Sequence, residues 1–161
     1  MSVEIFLKLD GINGESMAKG HENWIEILTY SWGIREELLA TNTGGTAVAG
    51  KAVFSDVALT KILDSSSIPI RIHCASAKRI PNAILDIVLY GNYPEPLYQV
   101  KLYDVIITGV GSSANEGVEK PRETLSLNYA RIEWSYSMQD IKGNIGTPIK
   151  GGWDVKKNIQ L

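Results

Sequence analysis

The chain has 161 residues, of which 44% are apolar and 21% charged, and its formal net charge is −2. This is the composition of a globular protein rather than a disordered one, and the length fits a single domain, 1–161. The low net charge gives no electrostatic basis for binding nucleic acid or an anionic membrane, and the lone cysteine, Cys74, excludes an internal disulfide.

The N-terminal segment, M-S-V-E-I-F-L-K-L-D, alternates apolar and polar residues and predicts a first strand. Phe6 lies on the polar face of this strand, so we expect that face to be partly covered. The segment lacks the unbroken apolar region of a signal peptide, and no run approaches the roughly 18 apolar residues of a membrane span. We therefore expect the chain to be made and folded in the cytoplasm.

Residues 21–33, H-E-N-W-I-E-I-L-T-Y-S-W-G, predict a second long strand. Both of its faces are at least half apolar, with Ile25 and Ile27 on one face and Trp24, Leu28, Tyr30 and Trp32 on the other. A sheet that faced solvent would not need two apolar faces.

Residues 34–51 form the longest stretch without a regular pattern, and threonine and glycine occupy its centre. A loop of this length in a compact domain is usually mobile or a contact device. We predict that a strand resumes at 52–60, through Val53, Val57 and Leu59.

Residues 61–78 fit two structures. Three serines before Pro69 are typical of a helix N-cap with proline in the first turn, whereas Ile70, Ile72 and Cys74 alternate as in a strand. We predict one short helix at about residues 66–77, because K-I-L-D-S-S-S-I-P is a strong helix start.

The next segment, 82–90, has almost no polar residue and predicts a buried strand. The turn residues G-N-Y-P-E-P at 91–96 separate it from another long strand at 97–110, and we predict that the two form a hairpin. A polar loop is expected at 111–122.

The stretch 124–139 alternates as a strand but changes phase in its middle. Leu125, Leu127 and Tyr129 share one face, whereas from Ala130 onward the apolar residues fall on the other face. An ideal strand cannot exchange its faces in this way. Either a one-residue bulge repairs the mismatch, or the strand bends between two sheets and buries a different face in each half.

After a loop at 141–152, Trp153, Val155 and Ile159 predict a closing strand. Seven strands at roughly even spacing with one helix are typical of a β-barrel or a tight sandwich. We predict a mainly β fold, a closed β-barrel of two antiparallel sheets with one short α-helix.

Two glycine-rich segments have the spacing of nucleotide-binding loops. Residues 45–52, G-T-A-V-A-G-K-A, resemble a phosphate-binding loop, but Ala52 replaces the hydroxyl residue that binds magnesium and a strand pattern follows. Residues 109–114 follow a strand as in the dinucleotide fingerprint, but the next residues have no helical period. A flexible loop and a tight turn are the favoured interpretations, and we expect no cofactor.

The side chains suited to catalysis or metal binding are few. His21 and His73 do not suffice for a histidine-rich metal site, and His73 and Cys74 diverge on either a helix or a strand because they are neighbours. Glu36 and Glu37 are expected to be solvated. Since no nucleophile, base and orienting group can be assembled, we expect neither an enzyme nor a metal site.

Four segments carry a recognisable pattern. They are I-F-L-K-L-D-G-I-N-G-E-S at 5–16, H-x-x-W-I-x-I-x-x-Y-S-W-G at 21–33, L-T-K at 59–61 with Asp64, and K-G-G-W-D-V at 150–155 with Asn158. In these segments the chain resembles Hcp, the haemolysin-coregulated protein family of bacterial type VI secretion. The likeness covers essentially the whole chain.

The resemblance implies a β-barrel that assembles as a homo-hexameric ring, and rings that stack into the inner tube of a contractile injection machine. The implied partners are other copies of the chain, the spike protein, the contractile sheath and small effector toxins held in the lumen. The tube would be secreted from the bacterial cytoplasm without a cleaved signal peptide, and the basic form of the family has no enzymatic activity.

Two hypotheses about surfaces follow from this resemblance. Ser31 is expected at the lumen wall, because it lies opposite the face of Tyr30 and Trp32. The loop at 34–51 is expected to reach the adjacent ring through its tip, which consists of Thr41, Asn42, Thr43, Gly44, Gly45 and Thr46.

A small-molecule-binding β-barrel is the alternative, since closed barrels of this size can hold one ligand. The two functions differ in whether side chains fill the interior of the barrel or leave a cavity for a ligand. Large side chains would plug a small barrel, and the candidates are Phe6, Trp24, Trp32, Trp134 and Tyr136.

Overall fold

The computed structural model describes residues 2–39 and 48–161, and within them the chain forms twelve strands and one helix. In chain order these are β1 (Val3–Leu9), β2 (Ile25–Ile27), β3 (Thr29–Ser31), β4 (Ile34–Leu39), β5 (Val48–Phe54), β6 (Val57–Ile62), α1 (Ser67–Ser76), β7 (Ile80–Leu89), β8 (Tyr98–Ser113), β9 (Arg122–Asn128), β10 (Arg131–Tyr136), β11 (Ile149–Asp154) and β12 (Ile159–Gln160). The predicted mainly β fold is confirmed, and the helix predicted at about 66–77 is α1. The seven predicted strands were too few, because several of them change sheet or bend along their length.

Two antiparallel sheets form the body of the protein. The main sheet has the strand order β12-β11-β10-β8-β7-β1-β2, and the second sheet runs β3-β6-β9 into the C-terminal half of β8. β7 and β8 pair as the predicted hairpin, and β8 passes from one sheet to the other with a register shift between Ile107 and Gly109. The two sheets are therefore confirmed, and their closure into a barrel stays a prediction.

The phase change at Ala130 marks a bend between the two sheets. β9 ends at Asn128 in the second sheet, and β10 begins at Arg131 in the main sheet. The Ala130 N–H donates to the Tyr103 carbonyl oxygen at 3.0 Å, which ties the bend to β8. Of the two predicted alternatives, the bend between sheets is correct.

The prediction of one long strand over 21–33 is wrong. Two short strands occupy this segment: β2 pairs with β1 in the main sheet, and β3 pairs with β6 in the second sheet. Between them the Leu28 N–H donates to the Thr60 carbonyl oxygen at 2.7 Å. Apolar residues occur on both faces because the side that faces the core changes at this point.

The prediction that 34–51 is structureless is wrong for the residues that the structure describes. β4 and β5 form a separate antiparallel hairpin, which we call the arm, and Ile34 pairs with Phe54 at its base. The register shifts between Glu36 and Leu38, and this irregularity breaks the two-residue period by which a strand is recognised. The next predicted strand is accordingly divided between β5 and β6.

The core lies between the two sheets. It consists mainly of buried leucine, isoleucine and valine side chains from both sheets, together with Ile70 of α1. Phe6 is buried on the other face of the main sheet, where His21 stacks on it with 4.6 Å between the ring centroids. The His21 Nε2 atom lies 2.7 Å from Asp86 Oδ2 and fixes the segment before β2 over this face. The face of Phe6 is therefore covered, as predicted.

The large side chains expected to plug the interior are divided among three places. Trp32 and Trp134 pack against the core. Phe6 and Trp24 lie with His21 outside it. The Tyr136 side chain is 44% exposed, because it lies at the end of β10 beyond the core.

A buried charged cluster attaches α1 to the second sheet. Lys61 Nζ lies 2.7 Å from Glu123 Oε1 and 2.9 Å from Asp64 Oδ1, and Arg71 Nη2 lies 2.8 Å from Glu123 Oε2. The Ser67 hydroxyl also donates to the Glu123 carboxylate. Burial alone would raise the pKa of Glu123, but the hydrogen bonds from Lys61, Ser67 and Arg71 outweigh it and the pKa is lowered.

Candidate functional surfaces

The outer face of the second sheet is built from small residues in two rows that cross four strands. The rows are Ser31, Ala58, Ser126 and Gly109, and beside them Thr29, Thr60, Thr124 and Gly111. These residues line an open groove of about 530 Å³. We call this surface the small-residue face, and it presents hydroxyls and backbone with neither a large nor a charged side chain in its two rows.

Ser31 lies on this face because its neighbours turn inward. Tyr30 and Trp32 both pack against the core, and the Tyr30 ring centroid lies 6.5 Å from that of Tyr98. Burial raises the pKa of the Tyr30 hydroxyl, and the Tyr98 hydroxyl adds to the effect. The predicted opposition of Ser31 to Tyr30 and Trp32 is confirmed, and its place on a lumen wall stays a prediction.

Two glycines leave the small-residue face without side chains along β8. A Cβ atom added to Gly109 would lie 2.8 Å from Ser126 Oγ, and one added to Gly111 would lie 2.7 Å from Thr124 Oγ1. A side chain at either position would therefore displace a hydroxyl of β9. Both glycines lie in a paired strand that leads to β9, whereas the dinucleotide-binding fingerprint considered for 109–114 requires a helix to follow.

Asp56 borders the small-residue face at the end nearest the arm. Its Oδ2 atom accepts a hydrogen bond from Thr108 Oγ1 at 2.7 Å, and its Oδ1 atom accepts one from Asn128 Nδ2 at 2.9 Å. Thr108 lies at the register shift of β8, and its Oγ1 is also 2.8 Å from Ser126 Oγ. Since both carboxylate oxygens have partners, Asp56 fastens β6 to β8 and β9 at this border.

The arm leaves the body of the protein with apolar side chains exposed. Ile34, Leu38, Leu39 and Val48 are 51%, 61%, 59% and 48% exposed. β4 and β5 contact mainly each other, and at the base of the arm Phe54 of β5 stacks on Trp153 of β11. Exposed apolar strands are normally covered by another surface, so the arm has the character of a contact device. The tip predicted to stack rings, 41–46, lies outside the described residues.

Aromatic side chains hold the base of the arm. The Trp32 ring centroid lies 5.5 Å from that of Trp134 and 6.2 Å from that of Phe54, and Phe54 stacks on Trp153 at 6.5 Å. The Trp32 Nε1–H donates to the Tyr129 hydroxyl at 2.6 Å, and this hydroxyl donates to a backbone carbonyl between β5 and β6 at 2.8 Å. Burial raises the pKa of Tyr129 to about 12. These contacts fix where the arm leaves the body.

The structure also places the residues that the sequence analysis considered for catalysis, metal binding and phosphate binding. His73 Nδ1 lies 2.8 Å from the Pro69 carbonyl oxygen inside α1, and Lys51 lies in β5 rather than before a helix. Within 2–39 and 48–161, no three His, Cys, Asp or Glu side chains are grouped to hold a metal ion. Across the same ranges, no helix has both the length and the apolar character needed to span a membrane.

The chain matches a known protein family in its sequence and known structures in its fold. Residues 6–136 match the family model described as Type VI secretion system effector, Hcp. The chain is 32% identical over 162 residues to Protein hcp1 of Pseudomonas aeruginosa, with 99% of each covered. It is similar to a solved structure of a type six secretion system protein, with a TM-score of 0.93, 27% identity, and coverage of 99% of this chain and 100% of that one. It is also similar to Hcp1 from Salmonella typhimurium, with a TM-score of 0.80, 31% identity and both chains fully covered.

Proposed function

The chain belongs to the Hcp family of type VI secretion tube proteins, and we propose that it forms homo-hexameric rings that stack and carry effector proteins in their lumen. The observation that carries this proposal is the small-residue face. If each copy turns this face inward, serine and threonine hydroxyls and glycine backbone line the lumen, and Ser31 is part of the wall. Such a wall offers hydrogen bonds to a cargo without blocking its passage.

The pairing of the strands supports both a closed barrel and a ring. The chain passes from β2 of the main sheet to β3 of the second sheet at Leu28, and β8 pairs in both sheets, so the sheets are joined at two borders. Within the described residues, β3 pairs with β6 alone, and β8 from Ile106 to Ser113 pairs with β9 alone. Free strand edges must be covered, and head-to-tail contacts around a closed ring would cover both.

The arm supports the stacking of rings. It extends apolar side chains away from the body, and its tip at 41–46 would reach the adjacent ring. The same polymer would contact the spike protein at its end and the contractile sheath along its outside, so these are the further partners in the proposal.

The proposed role is structural rather than enzymatic, and it involves no cofactor, nucleic acid or membrane insertion. The protein would be made in the bacterial cytoplasm and secreted through the type VI machine without a cleaved signal peptide. The alternative, a small-molecule carrier, is not favoured, because Leu7, Leu59 and Leu102 fill the space between the sheets and each is at most 2% exposed.

Gel filtration and electron microscopy of the purified protein test the assembly. We expect a species of about 106 kDa, which corresponds to six copies of the 17.7 kDa chain, and ring-shaped particles. A protein that stays monomeric at high concentration would refute the proposal.

The variant Ser31→Gln tests the lumen wall. A longer side chain at this exposed position should reduce the amount of effector that co-purifies with the rings and leave the rings intact, because Ser31 does not contribute to the core. Ser2→Gln, which makes the same change at an exposed position outside the second sheet, is the matched control and should retain effector normally. Equal retention by the two variants would contradict the assignment of Ser31.

A further inference from the structure

Positive charge is concentrated on three strands of the main sheet. β8, β10, β11 and the turn before β12 contain five cations and three carboxylates: Lys101, Arg131, Lys150, Lys156 and Lys157, with Asp104, Glu133 and Asp154. Arg79, which contacts Asp104, adds a sixth cation. We call these residues the basic face, since six cations exceed three carboxylates by three whereas the whole chain has a net charge of −2. β1, β2 and β7 of the same sheet carry the opposite excess, with Glu4, Glu26 and Asp86 against Lys8.

The strands turn the basic face away from the core. Val100 and Leu102 are buried in the core, so Lys101 between them points to the other side of the sheet. Arg131 flanks the buried Ile132 and points outward for the same reason. Because the core lies between the two sheets, the basic face and the small-residue face lie on opposite sides of the subunit.

Asp104 holds two of the cations beside β8. Its φ of 54° lies in the left-handed region, which non-glycine residues rarely adopt. Its Oδ1 atom lies 2.9 Å from Arg79 Nη1, and its Oδ2 atom lies 3.2 Å from Lys156 Nζ. All three side chains are at least 41% exposed, and exposed ion pairs contribute at most about 1 kcal/mol to stability. Asp104 therefore adds little to folding stability, but it fixes two cations at the surface.

Arg131 is positioned to bind a carboxylate. Its guanidinium carbon lies over the Tyr103 ring, 4.6 Å from the centroid, so the aromatic ring holds the group in place. The Tyr103 hydroxyl donates to Glu133 Oε2 at 3.0 Å, and Arg131 itself forms no salt bridge with any residue that the structure describes. The N–H groups of a guanidinium form a planar fork that matches the two oxygens of a carboxylate. Arg131 therefore offers a fixed and unoccupied fork.

A cleft of about 270 Å³ lies on the same face, and Lys101, Lys150 and Glu133 are its charged side chains. Gln99 and Ser135 add an amide and a hydroxyl to its lining. Neither lysine forms a salt bridge within residues 2–39 and 48–161. Since two lysines face one carboxylate that already accepts a hydrogen bond, the cleft favours an anion.

The spacing of the two sites matches an extended peptide. Lys101 and Tyr103, over which Arg131 lies, are successive outward residues of β8, and such residues are about 7 Å apart. In an extended peptide every second side chain points the same way with the same spacing. A peptide with acidic residues at alternate positions therefore places one carboxylate at Arg131 and the next at Lys101.

We propose that the basic face binds an extended acidic segment of a partner protein, in which Asp or Glu alternates with small neutral residues. One carboxylate pairs with Arg131, and the next enters the cleft beside Lys101. A short segment fits better than a nucleic acid, because the positive excess is confined to three strands and the rest of the chain is acidic. The proposal does not depend on the assembly of rings, and in the proposed ring this face points outward.

Fluorescence anisotropy with labelled peptides tests the proposal. One peptide carries glutamates that alternate with serine, and its isomer has the same composition with the glutamates spaced four residues apart. We expect the alternating peptide to bind about tenfold more tightly, because it alone engages both cations at once, and its affinity should fall with added salt. Equal affinities for the two isomers, equal affinity for single-stranded DNA of the same charge, or no binding would overturn the proposal.

Variants of the two cations identify the site. Arg131→Gln and Lys101→Gln should each weaken binding of the alternating peptide about tenfold, and Arg131→Lys should also weaken it because an ammonium lacks the fork. Neither residue belongs to the core, so the variants should fold normally, which their unfolding curves verify. Lys51→Gln is the matched control, because Lys51 is exposed on β5 in the separate sheet of the arm, and it should bind like the unmodified protein. Unchanged binding by Arg131→Gln and Lys101→Gln would overturn the assignment.

Discussion

The buried charged cluster under α1 makes a quantitative prediction through the variant Glu123→Gln. The substitution keeps the shape of the side chain but removes the negative charge 2.7 Å from Lys61 Nζ. The Lys61 side chain is 1% exposed and would keep Asp64, at 2.9 Å, as its carboxylate partner. Removing one member of a buried ion pair costs about 3–5 kcal/mol. Because Asp64 still compensates part of the charge, we expect a loss of about 3 kcal/mol in the free energy of unfolding.

Unfolding in urea or by heat, followed by tryptophan fluorescence, measures this loss. For a chain of this length each kcal/mol corresponds to about 2–4 °C in Tm, so the variant should unfold roughly 6–12 °C lower. Both proteins must be compared at the same concentration, because assembly adds to the apparent stability.

The lowered pKa of Glu123 also predicts how the difference depends on pH. Its hydrogen bonds to Lys61, Ser67 and Arg71 stabilise the carboxylate in the folded state more than burial destabilises it. A lowered folded-state pKa contributes stability that is complete above the unfolded value of about 4.3, and this stability is lost as the pH falls through the folded value. The free energy of unfolding should therefore decrease more steeply below about pH 5 in the unmodified protein than in Glu123→Gln.

A double variant separates the charge pair from other effects. Lys61→Met combined with Glu123→Gln leaves no unpaired buried cation and should lose less stability than the sum of the two single variants. Glu37→Gln removes a carboxylate from an exposed pair with Arg35, and should change stability by less than about 1 kcal/mol. A loss within about 1 kcal/mol for Glu123→Gln, or strict additivity in the double variant, would refute the buried ion pair.

Two further substitutions probe the fold at other places. Asp86→Ala should cost about 2–3 kcal/mol in urea unfolding, because His21 Nε2 and Gln99 Nε2 both lose a buried acceptor; a neutral result would mean that water replaces the carboxylate. Ala77→Gly should instead stabilise the protein by about 0.5–1 kcal/mol, because Ala77 ends α1 with a φ of 53°, which glycine adopts without strain; a lower Tm would contradict this.

The sequence was sufficient wherever a local signal determined the structure. The serines before Pro69 located α1, although Ser66 at its N-cap makes no side-chain capping hydrogen bond, and the turn G-N-Y-P-E-P located the β7–β8 hairpin. The phase change at Ala130 located the bend between the sheets, because the buried face of a strand follows its alternation directly. Strict alternation also placed Ser31 opposite Tyr30, on the outer face.

The features that the sequence did not predict depend on strand pairing between segments that are distant in the chain. The split of 21–33 is fixed by the hydrogen bond from Leu28 to Thr60, which no local pattern encodes. β4 was missed because its register shift disturbs the alternation. The small-residue face was missed as a unit, since its rows join four strands whose register depends on the shift between Ile107 and Gly109.

The two glycines of β8 connect the stability of the subunit with its function. Glycine inside a strand normally costs about 0.5–1 kcal/mol relative to alanine, but at Gly109 and Gly111 a Cβ atom would lie 2.8 and 2.7 Å from a hydroxyl oxygen of β9, so alanine would not recover this stability without moving those side chains. Neither has a positive φ that would require glycine for the backbone. What they provide is the absence of a side chain where a Cβ atom would meet the hydroxyls of β9. Glycine at both positions therefore serves the packing of β8 on β9 and also leaves the outer face free of bulky side chains, which is the shape that the proposed lumen wall would need.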